Sequence, residues 1–232
     1  MINKPFLVIG YQRSGTTMLR RLVSMHPGMS KGITHEGFGR LRSCKTAQEA
    51  YKTFRTPISD IEHGWKMPYT GKKNAKAIID KYIELFGDKG SVIHIVRRPI
   101  PTINSQVVTF NANPALCIRD YSKSIPFVAE YIKKFSNVIQ MSFHDIVAKP
   151  RKMVQWMYWW MGEAVDDSIV TKIISTKDEW HLNGKYMYGL KYANKVGRKH
   201  PSVIKKVRGL LSDIHNMEKL LPKKLFKSKI IK

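Results

Sequence analysis

Phe6-Leu7-Val8-Ile9-Gly10-Tyr11-Gln12-Arg13-Ser14-Gly15-Thr16-Thr17-Met18-Leu19 is the stretch on which the fold turns. An apolar run of strand length meets a loop with two glycines, and a helical pattern begins at once. Strand, glycine-containing turn and helix is the order in which a chain builds a phosphate cradle. N–H groups at a helix start have no intrahelical partner and point at whatever sits there. Gly10 and Gly15 let the backbone turn tightly and approach an anion. Their spacing is that of a P-loop, G-x-x-x-x-G, but Thr16-Thr17 stand where a nucleoside-triphosphate P-loop has Lys and then Ser or Thr. The nearby cation is Arg13, inside the loop.

Outward from this stretch, strands and helices alternate. Pro5–Ile9 reads as a strand buried on both faces. Thr16 to Met25 reads as a helix with Met18, Leu19, Leu22 and Val23 on one face, stopped by His26-Pro27-Gly28. Gln48–Phe54 is a short helix. Ile61–Met67 is a second strand, ended by Pro68, which puts Lys66 at its close. Lys72 to Phe86 is amphipathic, with Ala75, Ile78, Ile79, Tyr82, Ile83 and Phe86 on one stripe. Ser91–Val96 is a strand running into Arg97-Arg98-Pro99, and Ile100–Phe110 is helical. A helix over Tyr121–Phe135 leads to a strand over Asn137–Met141. Pro150–Met161 is a helix whose Trp156, Trp159 and Trp160 read as core packing. Asp166–Ile174 is helical, Asn183–Arg198 is loop, and two helical stretches follow at about 201–211 and 213–220. This alternation predicts an α/β protein: a three-layer, P-loop-like fold with a central, mainly parallel sheet flanked by helices. Ligands of such sheets bind beyond the carboxyl ends of the strands, where Arg13, Lys66 and Arg97 fall.

The 232 residues fit a single domain, 1–232. Net charge is +24, from 41 Lys+Arg against 17 Asp+Glu, which predicts attraction to anions without specifying a site. Residues 219–232 hold six lysines and no acid, and read as a solvated basic tail. Cys44 and Cys117 form no C-x-x-C, which favours a reducing compartment. There is no His-Glu-x-x-His and no Asp-rich calcium loop, so no metal is expected. With no signal-peptide pattern at residue 1 and no apolar run of spanning length, the expectation is a soluble cytoplasmic protein.

Five segments, in order, resemble the sulfotransferases that use 3′-phosphoadenosine 5′-phosphosulfate (PAPS), nearest to the carbohydrate and tyrosylprotein branches. Arg13-Ser14-Gly15-Thr16-Thr17 resembles their 5′-phosphosulfate loop, and Met18–Pro27 the helix after it. Gly64-Trp65-Lys66-Met67-Pro68 is similar to a Lys-x-Pro segment. Val92–Val96 with Arg97-Arg98-Pro99, and Ser105 eight residues after Arg97, resembles the strand and 3′-phosphate motif. Phe143-His144-Asp145-Ile146-Val147, then Pro150 and Trp160-Met161-Gly162, resembles the Tyr-Glu-Asp-Leu … Pro … Phe-Leu-Gly signature. Arg98 stands where the family often has Asp, and Phe143 and His144 where it often has Tyr and Glu.

The resemblance implies PAPS as sulfuryl donor and a hydroxyl or amine as acceptor. Ser14, Gly15, Thr16 and Thr17 would surround the 5′-phosphate, with Arg13 and Lys66 stabilising the leaving phosphate. Arg97 and Ser105 would hold the 3′-phosphate. The base in those branches is a Glu soon after the His-Pro; Glu36, nine residues after Pro27 and the first acid of the chain, takes that place. His35 is its rival. The family closes a basic segment over the nucleotide, and Lys185, Lys191, Lys195 and Arg198 are candidates. The Lys and Arg content of Gly37–Pro57 and of the segments after Tyr69 and Gly162 favours an acidic acceptor: a glycan, a peptide or a small molecule.

Two other readings compete. A P-loop nucleotide kinase or NTPase would need a lysine at Thr16 and a strand-end Asp for magnesium. A non-catalytic, basic nucleic-acid-binding module explains the charge but not the ordered loop, lysine and arginine motifs, so no specific nucleic-acid partner is expected.

Overall fold

The computed structural model describes residues 6–25, 42–53, 64–88, 90–163, 166–175 and 211–231. β1 (Phe6–Tyr11) runs through the loop into α1 (Thr16–Ser24), and α2 (Ala47–Thr53) follows. β2 (Gly64–Tyr69), α3 (Lys72–Phe86), β3 (Ser91–Val96) and α4 (Pro99–Phe110) alternate. Then come α5 (Pro114–Tyr131), β4 (Asn137–Ser142), α6 (Phe143–Ala148), α7 (Pro150–Met161) and α8 (Asp167–Ser175). α9 (Leu211–Leu220), a 3₁₀ turn (Lys223–Phe226) and β5 (Lys229–Ile231) close the described chain.

The sheet order is β2-β1-β3-β4-β5. The first four strands are parallel, and β5 pairs antiparallel with β4. Every residue of β1 and β3 is buried, as expected of mainly apolar strands in a sheet covered on both faces; β3 carries Ser91 and His94 into the interior with it. Alternate residues feed two cores. Leu7, Ile9 and Tyr11 pack on one side with Ile78, Ile79 and Tyr82 of α3 and Tyr121 and Ile125 of α5. Phe6 and Val8 pack on the other with Leu19, Leu22 and Val23 of α1 and Met157 and Tyr158 of α7. Each large apolar side chain buried this way contributes about 1.5–3 kcal/mol before chain entropy is charged against it. The three-layer expectation is therefore met.

Four details differ from the sequence reading. β2 runs through Pro68 to Tyr69, so Lys66 does not close the strand; it lies in mid-strand, opposite Val8. Pro68 is tolerated because β2 is an outer strand among the described residues, and an edge residue whose N–H would face outward loses no ladder bond. α5 begins at Pro114, not Tyr121: the Asn113 side chain accepts from Ala115 N (3.0 Å) and Leu116 N (3.2 Å), a standard N-cap with Pro at the first turn. Trp160 is buried and Trp156 packs against the core, but Trp159 is 66% exposed. The basic tail is ordered structure from Lys219 to Ile231. Leu221, Leu225 and Ile231 are buried among its lysines and anchor it to the first core.

Candidate active site

The cradle at the end of β1 is built by close approach. A Cβ on Gly10 would lie 2.6 Å from Ile95 Cγ2 and 2.8 Å from both the Ile95 carbonyl and Ser14 Oγ. Gly15, at φ 108°, has Phe143 Cδ2 2.6 Å from where its Cβ would be. Arg13 also takes a left-handed conformation, φ 72°. Gly10→Ala should therefore destabilise the fold by about 1–3 kcal/mol through overpacking against backbone. That is a fall in melting temperature of about 2–12 °C at this chain length, and an unchanged melting curve would refute the tight contact.

Ser14 is buried; its N–H (2.9 Å) and its hydroxyl both donate to the Tyr11 carbonyl, so this side chain shapes the turn. Thr16 is buried and Thr17 exposed. Leu19 N donates to the Gly15 carbonyl at 3.0 Å, so α1 starts at the loop. α1 carries no acid in its first turn, which leaves the positive end of the helix dipole uncompensated and directed at the loop.

Three predicted site residues come together here. Arg13 Nε donates to Ser105 Oγ at 2.9 Å, and Arg97 Nη1 donates to the Arg13 carbonyl at 3.1 Å. Arg97 is only 4% exposed, and Ser105 is buried in the second turn of α4. The Arg13 guanidinium therefore lies on the Arg97–Ser105 side of the loop, 5.7 Å from the Phe110 ring. Arg98 turns away: its side chain is 63% exposed, with Glu218 of α9 at 3.9 Å. Lys66 has its backbone on the strand beside β1. Glu36, His35, Lys185, Lys191, Lys195 and Arg198 lie outside the described residues.

The surroundings of Arg97 supply residues that the sequence reading did not assign. Phe143, the first residue of α6, lies under the Arg97 guanidinium, 4.3 Å from ring centroid to Cζ. The Tyr121 hydroxyl donates to the Arg97 carbonyl and holds the turn after β3. Tyr121 packs edge-on to Tyr11 (centroids 5.0 Å apart), and Tyr11 edge-on to Tyr69 (5.6 Å). Burial raises the phenol pKa of all three, so they stay neutral donors. Tyr69 Oη is 3.4 Å from Nε2 of the buried His94, whose pKa burial lowers to about 4. His144 is lowered to about 4 by burial, reinforced by Arg97 and Arg98. Its imidazole is neutral near pH 7 and adds no positive charge beside Arg97. With His144 neutral, the positive charge of this corner comes from the guanidiniums of Arg97 and Arg13, with that of the exposed Arg98 further out.

Among the described residues there is no group of three or more His, Cys, Asp or Glu that could hold a metal, and no helix long and apolar enough to cross a membrane.

No family model matches the chain, and no curated protein matches it in sequence. Its architecture is shared with solved structures. The sulfotransferase domain from the Synechococcus PCC 7002 olefin synthase is 20% identical, with TM-score 0.58, covering 79% of this chain and 87% of that one. The sulfotransferase domain from the curacin biosynthetic pathway is 14% identical, with TM-score 0.55, covering 72% and 76%. A mouse sulfotransferase complexed with PAP is 17% identical, with TM-score 0.50, covering 74% of this chain and 63% of that one. The chain has the fold of sulfotransferases.

Proposed function

We propose that this protein is a PAPS-dependent sulfotransferase that moves a sulfuryl group to a hydroxyl or amine acceptor. The observation that carries the reading is the convergence of Arg13, Arg97 and Ser105 beside a glycine loop and an uncompensated helix start. This is a cradle for two anionic groups, one at the loop and one at Arg97. A nucleotide with phosphates at both the 3′ and 5′ positions has that charge distribution; ATP does not. The mouse structure that shares the fold holds PAP, 3′-phosphoadenosine 5′-phosphate.

PAPS would supply a sulfuryl group that passes in line from a phosphate leaving group to the acceptor. The protein's part in such a transfer is positioning and charge stabilisation. The start of α1 and the Thr16 and Thr17 side chains would receive the 5′-phosphate. Arg97 would offer its planar fork to the 3′-phosphate, with Ser105 as a second donor. Arg13 is bonded to Ser105 and tethered through its carbonyl to Arg97, so it links the two anion positions. With Lys66 it would stabilise the charge left on the 5′-phosphate. Glu36 would take the acceptor's proton, with His35 as the rival base. Lys185 and Arg198 would close over the nucleotide. The acceptor suited to the positive charge around the site is acidic, as a sulfated or carboxylated glycan or an acidic peptide is.

Thermal unfolding tests the reading. PAP at about 100 times its dissociation constant should stabilise the protein by about 2.7 kcal/mol, a rise of about 5–11 °C. ATP with magnesium should raise it far less. Greater stabilisation by ATP with magnesium would overturn the proposal in favour of a P-loop kinase.

A further inference from the structure

Gln140 is a fully buried amide between Ile139 and Met141 in β4, where an apolar residue would be expected. Its Nε2 donates to the carbonyls of Leu225 (3.2 Å) and Lys227 (2.8 Å), and so fixes the chain just before β5. The next residue, Ser228, reaches back to α6. Its Oγ accepts from Ser142 N at 2.8 Å and donates to Asp145 Oδ2 at 2.7 Å, and its own N–H donates to the same oxygen at 3.1 Å. Ser142 is the N-cap of α6, and Asp145 sits in its first turn. A six-residue helix has too few internal bonds to hold itself in place. Phe143, which begins it, is the ring beneath Arg97 and against Gly15.

We infer that Ser228 is a positioning residue for Arg97. It ties the turn between β4 and α6 to the C-terminal segment, which holds Phe143 in place and thereby sets where the Arg97 guanidinium lies. The inference rests on Arg97 being the 3′-phosphate residue. Glu218 of α9, facing Arg98 at 3.9 Å, brings the same C-terminal segment to the other side of this corner.

The test compares the wild type with Ser228→Ala and Ser228→Thr, the latter retaining the hydroxyl. Two readouts are taken on each: amide hydrogen exchange over residues 142–148, and the ratio of affinities for PAP and for adenosine 5′-monophosphate, which lacks the 3′-phosphate. Ser228→Ala should speed exchange over 142–148 and lower the PAP preference about 3- to 10-fold, the size expected of coupling through packed neighbours. Affinity for the monophosphate should fall less than affinity for PAP, since Phe143 also lies against Gly15, and Ser228→Thr should restore both readouts. Unchanged exchange in Ser228→Ala overturns the clamp whatever the nucleotides do. Faster exchange with an undiminished PAP preference overturns the link to Arg97. A wild type that does not prefer PAP to the monophosphate overturns the proposed function and the role of Ser228 in it, while the exchange result still decides whether the clamp exists.

Discussion

Replacing Arg97 with alanine should weaken PAP binding by about 100-fold, the equivalent of losing two charge-assisted hydrogen bonds of about 1.5 kcal/mol each. Affinity for adenosine 5′-monophosphate should fall much less, because the start of α1 is untouched and the loop loses only the bond from Arg97 to the Arg13 carbonyl. The size of the effect follows from the setting. Arg97 is almost wholly buried, its carbonyl is held by Tyr121, and its guanidinium lies over the Phe143 ring. A group so constrained has lost its conformational freedom before the phosphate arrives, so little of the interaction is spent on ordering. Arg97→Lys should recover only part of the loss, since an ammonium lacks the fork and stacks less well. Titration calorimetry on the three proteins measures this, and PAP affinity unchanged in Arg97→Ala would remove the 3′-phosphate assignment.

Glu36→Gln should lower turnover by about 10²–10⁴-fold, the usual contribution of a positioned base, with PAP affinity unchanged. The substitution keeps shape and hydrogen-bonding capacity but cannot accept the acceptor's proton. Radiolabelled PAPS with a panel of glycans, peptides, lipids and small alcohols first identifies an acceptor, and steady-state rates then measure the loss. Full turnover in Glu36→Gln would give the role to His35 or another group, and the pH profile separates a carboxylate from an imidazole. Carboxylate and imidazole bases place the acid limb about two pH units apart at their ordinary values, near 4.3 and 6.5.

The tight turn after β1 and the parallel sheet were legible because their signals are local. Phe6–Ile9 is an unbroken apolar run, Gly10 and Gly15 punctuate it, and the 72–86 stripe has helical period throughout. That Arg97 and Ser105 fall in one motif could be read from their spacing; that Arg13 bonds to both residues could not. The direction of Arg13 could not: it depends on a left-handed backbone angle and on a hydroxyl 92 residues away in sequence. Phe143 stood out only as a departure from a motif, and nothing in its neighbours announces a ring beneath Arg97. The start of α5 is fixed by the Asn113 cap and Pro114, which the expectation of a helix from Tyr121 left out. The tail was misread because charge outweighed pattern. Six lysines hide the irregularly spaced Leu221, Leu225 and Ile231, whose burial becomes apparent only once β4 offers an outer edge.

That outer edge has a consequence for how the chain is made. Residues 229–231 are the last described strand, and the bond from Ser228 to Asp145 spans 83 positions. As the chain leaves the ribosome, the first four strands can assemble while the backbone groups of Val138 to Gln140 on that side still lack a partner. A buried strand with one bare edge is a template for pairing with other chains. β5 therefore acts as a late cover: three residues, two of them apolar, occupy the position that another nascent chain would otherwise take. Lys223, Lys224 and Lys227, which lie outside the ladder, would repel a second copy of this strongly basic protein while the cover is still being laid down.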